Sequence, residues 1–181
     1  FTGSSLCAKG VTCILTEDAY ALLIRADEEA KRKFEKYSIK HDCLKKEDVP
    51  CLKVNSAYRS YARQKALWEG RTPEKYAQKY PDPKVRRKYV SNPDECGNYC
   101  PHFDGKAIDV VFYGKTTKTM THSDWLILHE IMTSVKNDKN EPEWVRYGDE
   151  KRFEVGERWH FECCGTNRHA RAIKEGVTAI V

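Results

Sequence analysis

The sequence of 181 residues lacks several features that would each assign it to a class of protein. It has no apolar run near the length of about 20 residues that a membrane-spanning helix needs, which excludes such a span. No segment has the pattern of a secretory signal peptide, so we expect the numbering to begin after processing. Internal repeats and low-complexity linkers are also absent. This favours a single domain over residues 1–181.

Two further absences concern nucleic acids and structural zinc. Basic residues combine with tyrosines only around Arg86-Arg87-Lys88, and one short cluster is poor support for a nucleic-acid surface. No two cysteines have the Cys-x-x-Cys spacing typical of structural zinc sites, although a site that uses Cys96 and Cys100 stays open as an alternative. The net charge of +5 is an ordinary surface charge or a mild preference for acidic partners.

Cysteine, in contrast, is plentiful. An even number in a chain of this size favours disulfides and an oxidising compartment, so we expect a secreted or periplasmic protein without free thiols. A Cys43–Cys51 bond would close a short loop, whereas the adjacent Cys163 and Cys164 are expected to point to opposite faces and to have different partners. The eight residues are Cys7, Cys13, Cys43, Cys51, Cys96, Cys100, Cys163 and Cys164.

The hydrophobic pattern predicts an α+β fold, in which a small central antiparallel sheet is flanked by helices and stapled by disulfides. Residues 1–15 are predicted to form an extended N-terminal arm. Periodicity of 3.6 predicts helices from Thr16, over residues 61–69, over 121–135 with Ser123 as the cap, and over 167–175. The apolar residues expected to pack in the core are Ala19, Leu22, Leu23, Ala26, Ala30 and Phe34 in the first helix and Trp125, Leu128, Ile131 and Met132 in the helix over 121–135. Alternating or short β-branched segments predict strands over residues 51–56, 107–112, 143–147, 153–155 and 159–163. The insert 71–101, with five prolines, is predicted to form a wall or lid beside a site.

Two of these strands carry residues that suit a metal. In residues 101–112, His102 and Asp109 lie seven positions apart with Gly105 between them, and Asp109 interrupts an apolar run, where a carboxylate is costly unless paired or metal-bound. In residues 156–163, His160 alternates with apolar positions and Glu157 precedes it by three. Two histidines and one aspartate make a three-ligand zinc set with an open fourth position, and Glu157 is a carboxylate beside it that can handle protons.

These motifs carry a family resemblance. The pattern His102-x-x-Gly105-x-Ala107-x-Asp109, followed by Glu157-x-x-His160, resembles the zinc D-alanyl-D-alanine carboxypeptidases. These are VanY-like peptidases, related in fold to lysostaphin-type endopeptidases and to the hedgehog signalling domain. Residues 56–64, Ser-Ala-Tyr-Arg-Ser-Tyr-Ala-Arg-Gln, match a third block, and all three blocks lie within residues 51–164. The family often has serine two positions before its first histidine, where this chain has Cys100.

The resemblance implies one Zn²⁺ per chain in a cleft on the sheet, held by His102, Asp109 and His160. It implies that Glu157 is the general base and that Arg59 binds substrate or stabilises the anionic intermediate. Gln64 and Ser60 are expected among the substrate-binding residues, and Gln64, a little more than one helical turn beyond Arg59, is expected to support it. The implied substrates are peptidoglycan stem peptides ending in D-Ala-D-Ala, and the implied state is a monomer.

Two alternatives stay open. An L,D-endopeptidase on the same scaffold would cut an internal bond of the stem peptide instead of removing the terminal D-Ala. A hedgehog-like, zinc-stabilised binding module would keep the metal ligands without catalysis. Such a module needs no base, so the presence of Glu157 favours the enzyme.

Overall fold

The computed structural model describes residues 6, 14–38, 51–87, 89–96, 102–146, 158–166, 169–170 and 173–174, with side chains for all of these except 34–38 and 96. The elements in this part of the chain are α1 (Glu17–Ser38), β1 (Leu52–Ser56), α2 (Tyr61–Trp68), α3 (Tyr76–Lys79), α4 (Pro83–Arg86), α5 (Pro93–Cys96), β2 (Ala107–Phe112), α6 (His122–Ser134) and β3 (His160–Glu162). No helix among them is both long and apolar enough to cross a membrane.

The sheet is antiparallel with the order β1-β2-β3, which confirms the predicted α+β class. The β-branched run of β2 is central. β1 pairs with its residues 109–112 and β3 with its residues 107–109. On one face, Val110 lies opposite Val54 and Ile108 lies opposite Phe161. Because successive side chains of a strand point to opposite faces, Asp109 belongs to the other face, where it lies opposite His160.

A β-bulge interrupts β1 between Val54 and Ser56. Val54 lies opposite Val110, but Ser56, two residues later, lies opposite Asp109, only one residue away on β2. The extra residue bends and twists the strand locally. As a result, Ser56, Asp109 and His160 occupy one row across the three strands.

Two long helices supply most of the remaining core. The apolar stripe of α1 is buried as predicted, with Leu23 and Ala26 almost inaccessible. Asp27 is also buried, because its carboxylate accepts a hydrogen bond of 2.9 Å from the backbone N–H of Leu52 and so joins α1 to β1. The predicted buried residues of α6 are Trp125, Leu128, Ile131 and Met132, and all four are buried.

The cap of α6 differs from the prediction. Thr121, not Ser123, is the N-cap residue, and it forms a capping box with Asp124. The Thr121 hydroxyl accepts from the Asp124 backbone, and the Asp124 carboxylate accepts from the Thr121 backbone, so two helix N–H groups gain partners. Ser123 lies inside the helix, and its third following residue is Leu126, which cannot return a hydrogen bond.

Two other predictions about the second half need correction or lie outside the described residues. The predicted strand over residues 143–147 is reduced, in the residues described, to one bridge in which Val145 and Glu162 exchange two backbone hydrogen bonds of 2.9 Å. The predicted strand 153–155 lies outside the described residues. In the predicted helix 167–175, residues 169–170 and 173–174 are described and helical.

The cysteine predictions are not supported where the structure describes these side chains. No disulfide joins any two of Cys51, Cys163 and Cys164. The expectation that Cys163 and Cys164 point to opposite faces is wrong, because their Sγ atoms are 2.9 Å apart. Cys164 has φ of +57°, which turns the chain after β3 and brings both thiols to one side. The side chains of Cys7, Cys13, Cys43, Cys96 and Cys100 lie outside the described residues.

The insert after α2 is built around Arg86. Its guanidinium donates to the carbonyl oxygens of Tyr80, Trp68 and Pro81 at 2.9–3.0 Å and lies over the Trp68 ring, 4.7 Å from the centroid. Tyr80 stacks on Tyr89 with ring centroids 3.9 Å apart. Through these contacts Arg86 fastens α4 to the end of α2, which is a structural role.

Candidate metal centre

His102, Asp109 and His160 converge on one point at the edge of a cleft, and each offers a ligand atom within 4.8 Å of the others. Nε2 of His102 is 3.2 Å from Nδ1 of His160 and 3.5 Å from Oδ1 of Asp109. Nδ1 of His160 is 3.1 Å from the same Oδ1. Within the described residues, no other group of three such side chains meets this criterion.

The sheet brings Asp109 and His160 together, because directly opposite residues of an antiparallel pair have Cβ atoms about 4.5–5.5 Å apart. A turn brings His102. Gly105 has φ of +65°, a conformation that side chains rarely adopt, and a Cβ there would lie 3.2 Å from the backbone of Leu15 and Thr16. The Gly105 carbonyl accepts from Thr16 N–H, so the start of α1 holds this turn.

The segment between β1 and α2 orients the imidazole of His102. Nδ1 of His102 contacts the carbonyl oxygen of Ala57, and the His102 carbonyl accepts a hydrogen bond of 3.2 Å from Arg59 N–H. Because the carbonyl can only accept, Nδ1 carries the proton. The other ring nitrogen, Nε2, is therefore an acceptor turned toward Asp109 and His160, as a metal ligand must be.

Asp109 is ready to act as an anionic ligand. Burial alone would raise the pKa of its carboxyl group, but the imidazoles of His102 and His160, when they are protonated, outweigh burial through charge and hydrogen bonds and hold the pKa far below its usual range. Its side chain is 14% exposed. One carboxylate and two imidazole nitrogens with a side open to the cleft match the donor set and vacancy of a catalytic zinc site. The residues present therefore fit zinc.

Arg59 lies beside this cluster. One of its nitrogens, Nη2, is 3.5 Å from Oδ2 of Asp109 and donates to the Ser56 hydroxyl at 3.1 Å. The other, Nη1, donates to Oε1 of Gln64 at 3.0 Å. Asp109 thus directs one oxygen to the histidines and the other to a guanidinium.

The structure separates the remaining predicted substrate-binding residues. Gln64 is buried, lies behind Arg59, and donates to the Ser91 carbonyl at 2.8 Å, so it supports the guanidinium and does not line the cleft. Ser60 lines the cleft, but its hydroxyl caps α2 by accepting from Arg63 N–H. Glu157, the predicted base, lies outside the described residues.

A cleft of about 560 Å³ opens from the cluster. Asp109, Arg59 and Trp159 line it, and the insert contributes Tyr76 and Tyr89 to its wall. The predicted wall formed by residues 71–101 is therefore present in the part of this insert that the structure describes. Trp159 packs against Trp125 of α6, with ring centroids 6.2 Å apart, and so connects the cleft to the core.

Sequence reasoning missed two polar residues of this region. Ser56 is the first residue of the third motif block but was given no role, because the bulge that places it opposite Asp109 depends on pairing with β2. Glu162 is completely buried with Oε1 3.1 Å from Nε2 of His160. A signal for Glu162 existed, because it is a charged residue in a short buried strand, the same anomaly that marked Asp109.

Comparisons with known proteins locate the fold. No protein-family model matches the sequence, and no curated protein matches it significantly. Solved structures do. VanYB in complex with D-alanine-D-alanine has 17% identity and a TM-score of 0.54, over 90% of this chain and 78% of that one. A VanY D,D-pentapeptidase variant in complex with Zn(II) has 17% identity and a TM-score of 0.54, over 90% of this chain and 79% of that one.

The LdcB LD-carboxypeptidase has 16% identity and a TM-score of 0.55, over 90% of this chain and 64% of that one. The chain therefore shares the fold of the VanY-type peptidases, which confirms the fold that the sequence motifs indicated. At these identities the likeness establishes the fold and not the reaction.

Proposed function

We propose that the protein is a zinc-dependent peptidase that hydrolyses peptidoglycan stem peptides, and that it removes the terminal D-alanine from chains ending in D-Ala-D-Ala. The observation that carries the proposal is the meeting of His102, Asp109 and His160 beside Arg59, at an open cleft that Asp109 and Arg59 line. The shared fold with D,D-peptidases supports the same substrate class. Such a substrate places the protein outside the cytoplasm, secreted or periplasmic, and we propose that it acts there as a monomer.

His102, Asp109 and His160 would hold one zinc ion, which when bound supplies a Lewis acid that activates water and polarises a carbonyl group. Glu157 is the proposed general base. It takes the proton of the attacking water and returns it to the leaving amine, a role that typically contributes about 10²–10⁴ in rate. The assignment of Glu157 rests on its place three residues before His160 in the sequence.

Arg59 is the proposed recognition group for the substrate carboxylate. The Arg59 side chain is 22% exposed, and its guanidinium is oriented by Ser56 and Gln64, so it is preorganised for a charge-assisted contact. A carboxypeptidase needs a cation at this place, because its substrate ends in a carboxylate beside the scissile bond. An endopeptidase has no such group to neutralise. Arg59 therefore favours removal of a terminal residue.

Two other activities define the possible outcomes. The LdcB likeness keeps a carboxypeptidase acting on an L,D bond as a second candidate on the same scaffold, and an L,D-endopeptidase is a third. A binding module with the hedgehog-like arrangement would hold zinc and cut nothing. All three retain the metal ligands, so the site geometry alone does not separate them and product analysis does.

The test is mass spectrometry of defined muropeptides after incubation with the zinc-loaded protein. Loss of one alanine from a pentapeptide stem but not from a tetrapeptide stem is the expected result. Loss from the tetrapeptide indicates the L,D-carboxypeptidase, and a split stem indicates an endopeptidase. Intact peptides alongside stoichiometric zinc overturn the enzyme and favour the binding module.

The metal assignment is tested in the same samples by elemental analysis. His102→Ala, Asp109→Ala and His160→Ala are each expected to lose or weaken the single zinc ion and to abolish hydrolysis. His122→Ala is the matched control, since it removes an exposed imidazole at the start of α6. Full zinc content in all three ligand variants refutes the site.

A further inference from the structure

Glu162 is a carboxylate to which the proposed chemistry gives no role. It is completely buried on β3, two residues after His160. A buried charge is costly unless hydrogen bonds and a charge partner compensate for it. The surroundings of this side chain therefore indicate what the chain gains from it.

Both carboxylate oxygens of Glu162 have a partner. Oε1 is 3.1 Å from Nε2 of His160, and Oε2 accepts a hydrogen bond of 2.9 Å from the hydroxyl of Thr166. The backbone is equally fixed, because Glu162 exchanges two hydrogen bonds with Val145 and lies opposite Ala107 in the sheet. The carboxylate is thus held in one orientation against the imidazole.

This contact determines which nitrogen of His160 carries the proton. A carboxylate only accepts hydrogen bonds, so Nε2 of His160 must be the donor. In the neutral imidazole the other nitrogen, Nδ1, is then an acceptor, and it is this atom that lies 3.1 Å from Asp109 and 3.2 Å from His102. His102 has the reverse arrangement, with its proton on Nδ1 toward Ala57.

Two acceptor nitrogens therefore face each other across 3.2 Å, with a carboxylate oxygen beside both. Lone pairs and an anion at such distances repel one another, and a cation between them removes the repulsion. We propose that Glu162, held by Thr166, is a positioning residue that fixes the tautomer and ring orientation of His160 so that Nδ1 binds the metal. This inference rests on the proposed metal centre.

The proposal has a measurable size. Hydrogen-bonded carboxylates behind metal-binding histidines typically contribute about 10–100-fold in metal affinity. Glu162→Gln keeps the volume but offers an amide that can rotate and donate to Nε2, which stabilises the wrong tautomer. We therefore expect its zinc dissociation constant to rise about 10–100-fold. Thr166→Val removes only the hydrogen bond from the Thr166 hydroxyl to Oε2 of Glu162. The zinc dissociation constant of this variant should therefore rise less.

The experiment is competition for zinc with a chromophoric chelator, joined to thermal unfolding with and without zinc. Glu141→Gln is the matched control for the carboxylate, since Glu141 accepts from the Asn137 side chain. Thr133→Val is the control for the hydroxyl, which donates to a helix carbonyl in α6. Both controls should bind zinc like the wild type. A merely structural Glu162 would lower the two melting temperatures equally and leave the zinc affinity unchanged, and that result overturns the proposal.

A second measurement needs no Glu162 variant to fold. In ¹⁵N NMR spectra of the zinc-loaded wild type with labelled histidine, His160 should show a protonated Nε2 and a metal-bound Nδ1. A protonated Nδ1 overturns the proposal. Wild-type protein that binds no zinc defeats the metal centre itself, whereas tight zinc binding by Glu162→Gln together with normal hydrolysis defeats only the role of Glu162.

Discussion

Asp109 divides its two carboxylate oxygens between different tasks. Oδ1 lies between the two imidazoles, and Oδ2 faces Arg59 at 3.5 Å. The side chain therefore connects the proposed ligand set to the proposed substrate cation. A substitution of Arg59 can therefore change the metal ligands, and a substitution of a ligand can change Arg59, through Asp109. Each single variant needs measurement of both zinc content and turnover.

Replacement of Glu157 by Gln tests the base. Gln keeps the size and most of the hydrogen bonding but cannot take a proton. Turnover of a D-Ala-D-Ala peptide should fall by about 10²–10⁴, with zinc content and melting temperature close to those of the wild type. Near-normal turnover would remove Glu157 from the chemistry, and loss of zinc would make it a ligand. Glu141→Gln serves as the control.

Replacement of Arg59 by Ala tests carboxylate recognition. We expect kcat/KM to fall by about 10² or more while zinc stays bound, and Lys to rescue poorly because it lacks the planar fork. Amidation of the substrate C-terminus should impair the wild type much more than the variant. Arg63→Ala is the control, because Arg63 lines the same cleft but pairs with Glu74 at 3.6 Å. Equal losses on amidation would exclude Arg59 from this contact.

The turn after β3 brings two adjacent thiols together but leaves them differently exposed, with Cys163 buried and Cys164 partly exposed. Cys163 is fully buried, and its contact with Cys164, together with burial, raises its pKa. The pKa of Cys164 is lowered, because the Cys163 thiol stabilises the neighbouring thiolate and outweighs burial. We predict that iodoacetamide at neutral pH modifies Cys164 well before Cys163, as peptide mapping by mass spectrometry will show.

The control for this prediction is Cys164→Ser, which should remove the fast modification from the peptide. The count of eight cysteines predicts the opposite, that every thiol is oxidised. If neither Cys163 nor Cys164 reacts under denaturing, non-reducing conditions, the pair is oxidised in the native protein and the reduced arrangement described above is wrong.

The elements that sequence predicted well are those whose signal is local. The run of β2 was predicted over its full length, because a β-branched apolar segment needs no knowledge of its partners. The α6 cap was misassigned although Thr121 and Asp124 have the spacing of a capping box, a pattern that was readable. In the part of 143–147 that the structure describes, only Val145 pairs, and its partner is a strand of three residues that the local sequence does not reveal.

In the candidate site, too, the residues with a local sequence signal were the ones predicted. His102, Asp109 and His160 were predicted from two short motifs, and the structure brings them together. Helical spacing predicted that Gln64 supports Arg59, and the hydrogen bond of 3.0 Å between them confirms it. The second contact of Gln64, to the Ser91 carbonyl 27 residues away in the insert, was not predicted. Long-range packing of this kind leaves no periodic trace in the sequence.

For the whole molecule, we predict that zinc removal lowers thermal stability. The proposed ligands lie on a turn, on β2 and on β3, so a bound ion would join segments that are distant along the chain. At free zinc about 100-fold above the dissociation constant, stabilisation is about 2.7 kcal/mol, which corresponds to roughly 5–10 °C in Tm for a domain of this size.

Differential scanning calorimetry with and without chelator measures this shift. His160→Ala should show no zinc-dependent change, whereas His122→Ala should behave like the wild type. Identical melting temperatures of the wild-type protein in zinc and in chelator would mean that these side chains meet without binding the ion.

The bulge in β1 changes which residues of that strand face the core before and after it. The side chains of Leu52 and Val54 point to the core face of the sheet. In an uninterrupted strand, Ser56 would point to the same face. The extra residue shifts the alternation of side chains by one position. Ser56 therefore lies opposite Asp109, on the same face of the sheet. Deletion of Asn55 would leave Ser56 directly after Val54 and still opposite Asp109, so the strand would lose its local bend and twist while Ser56 stayed on the face of that carboxylate.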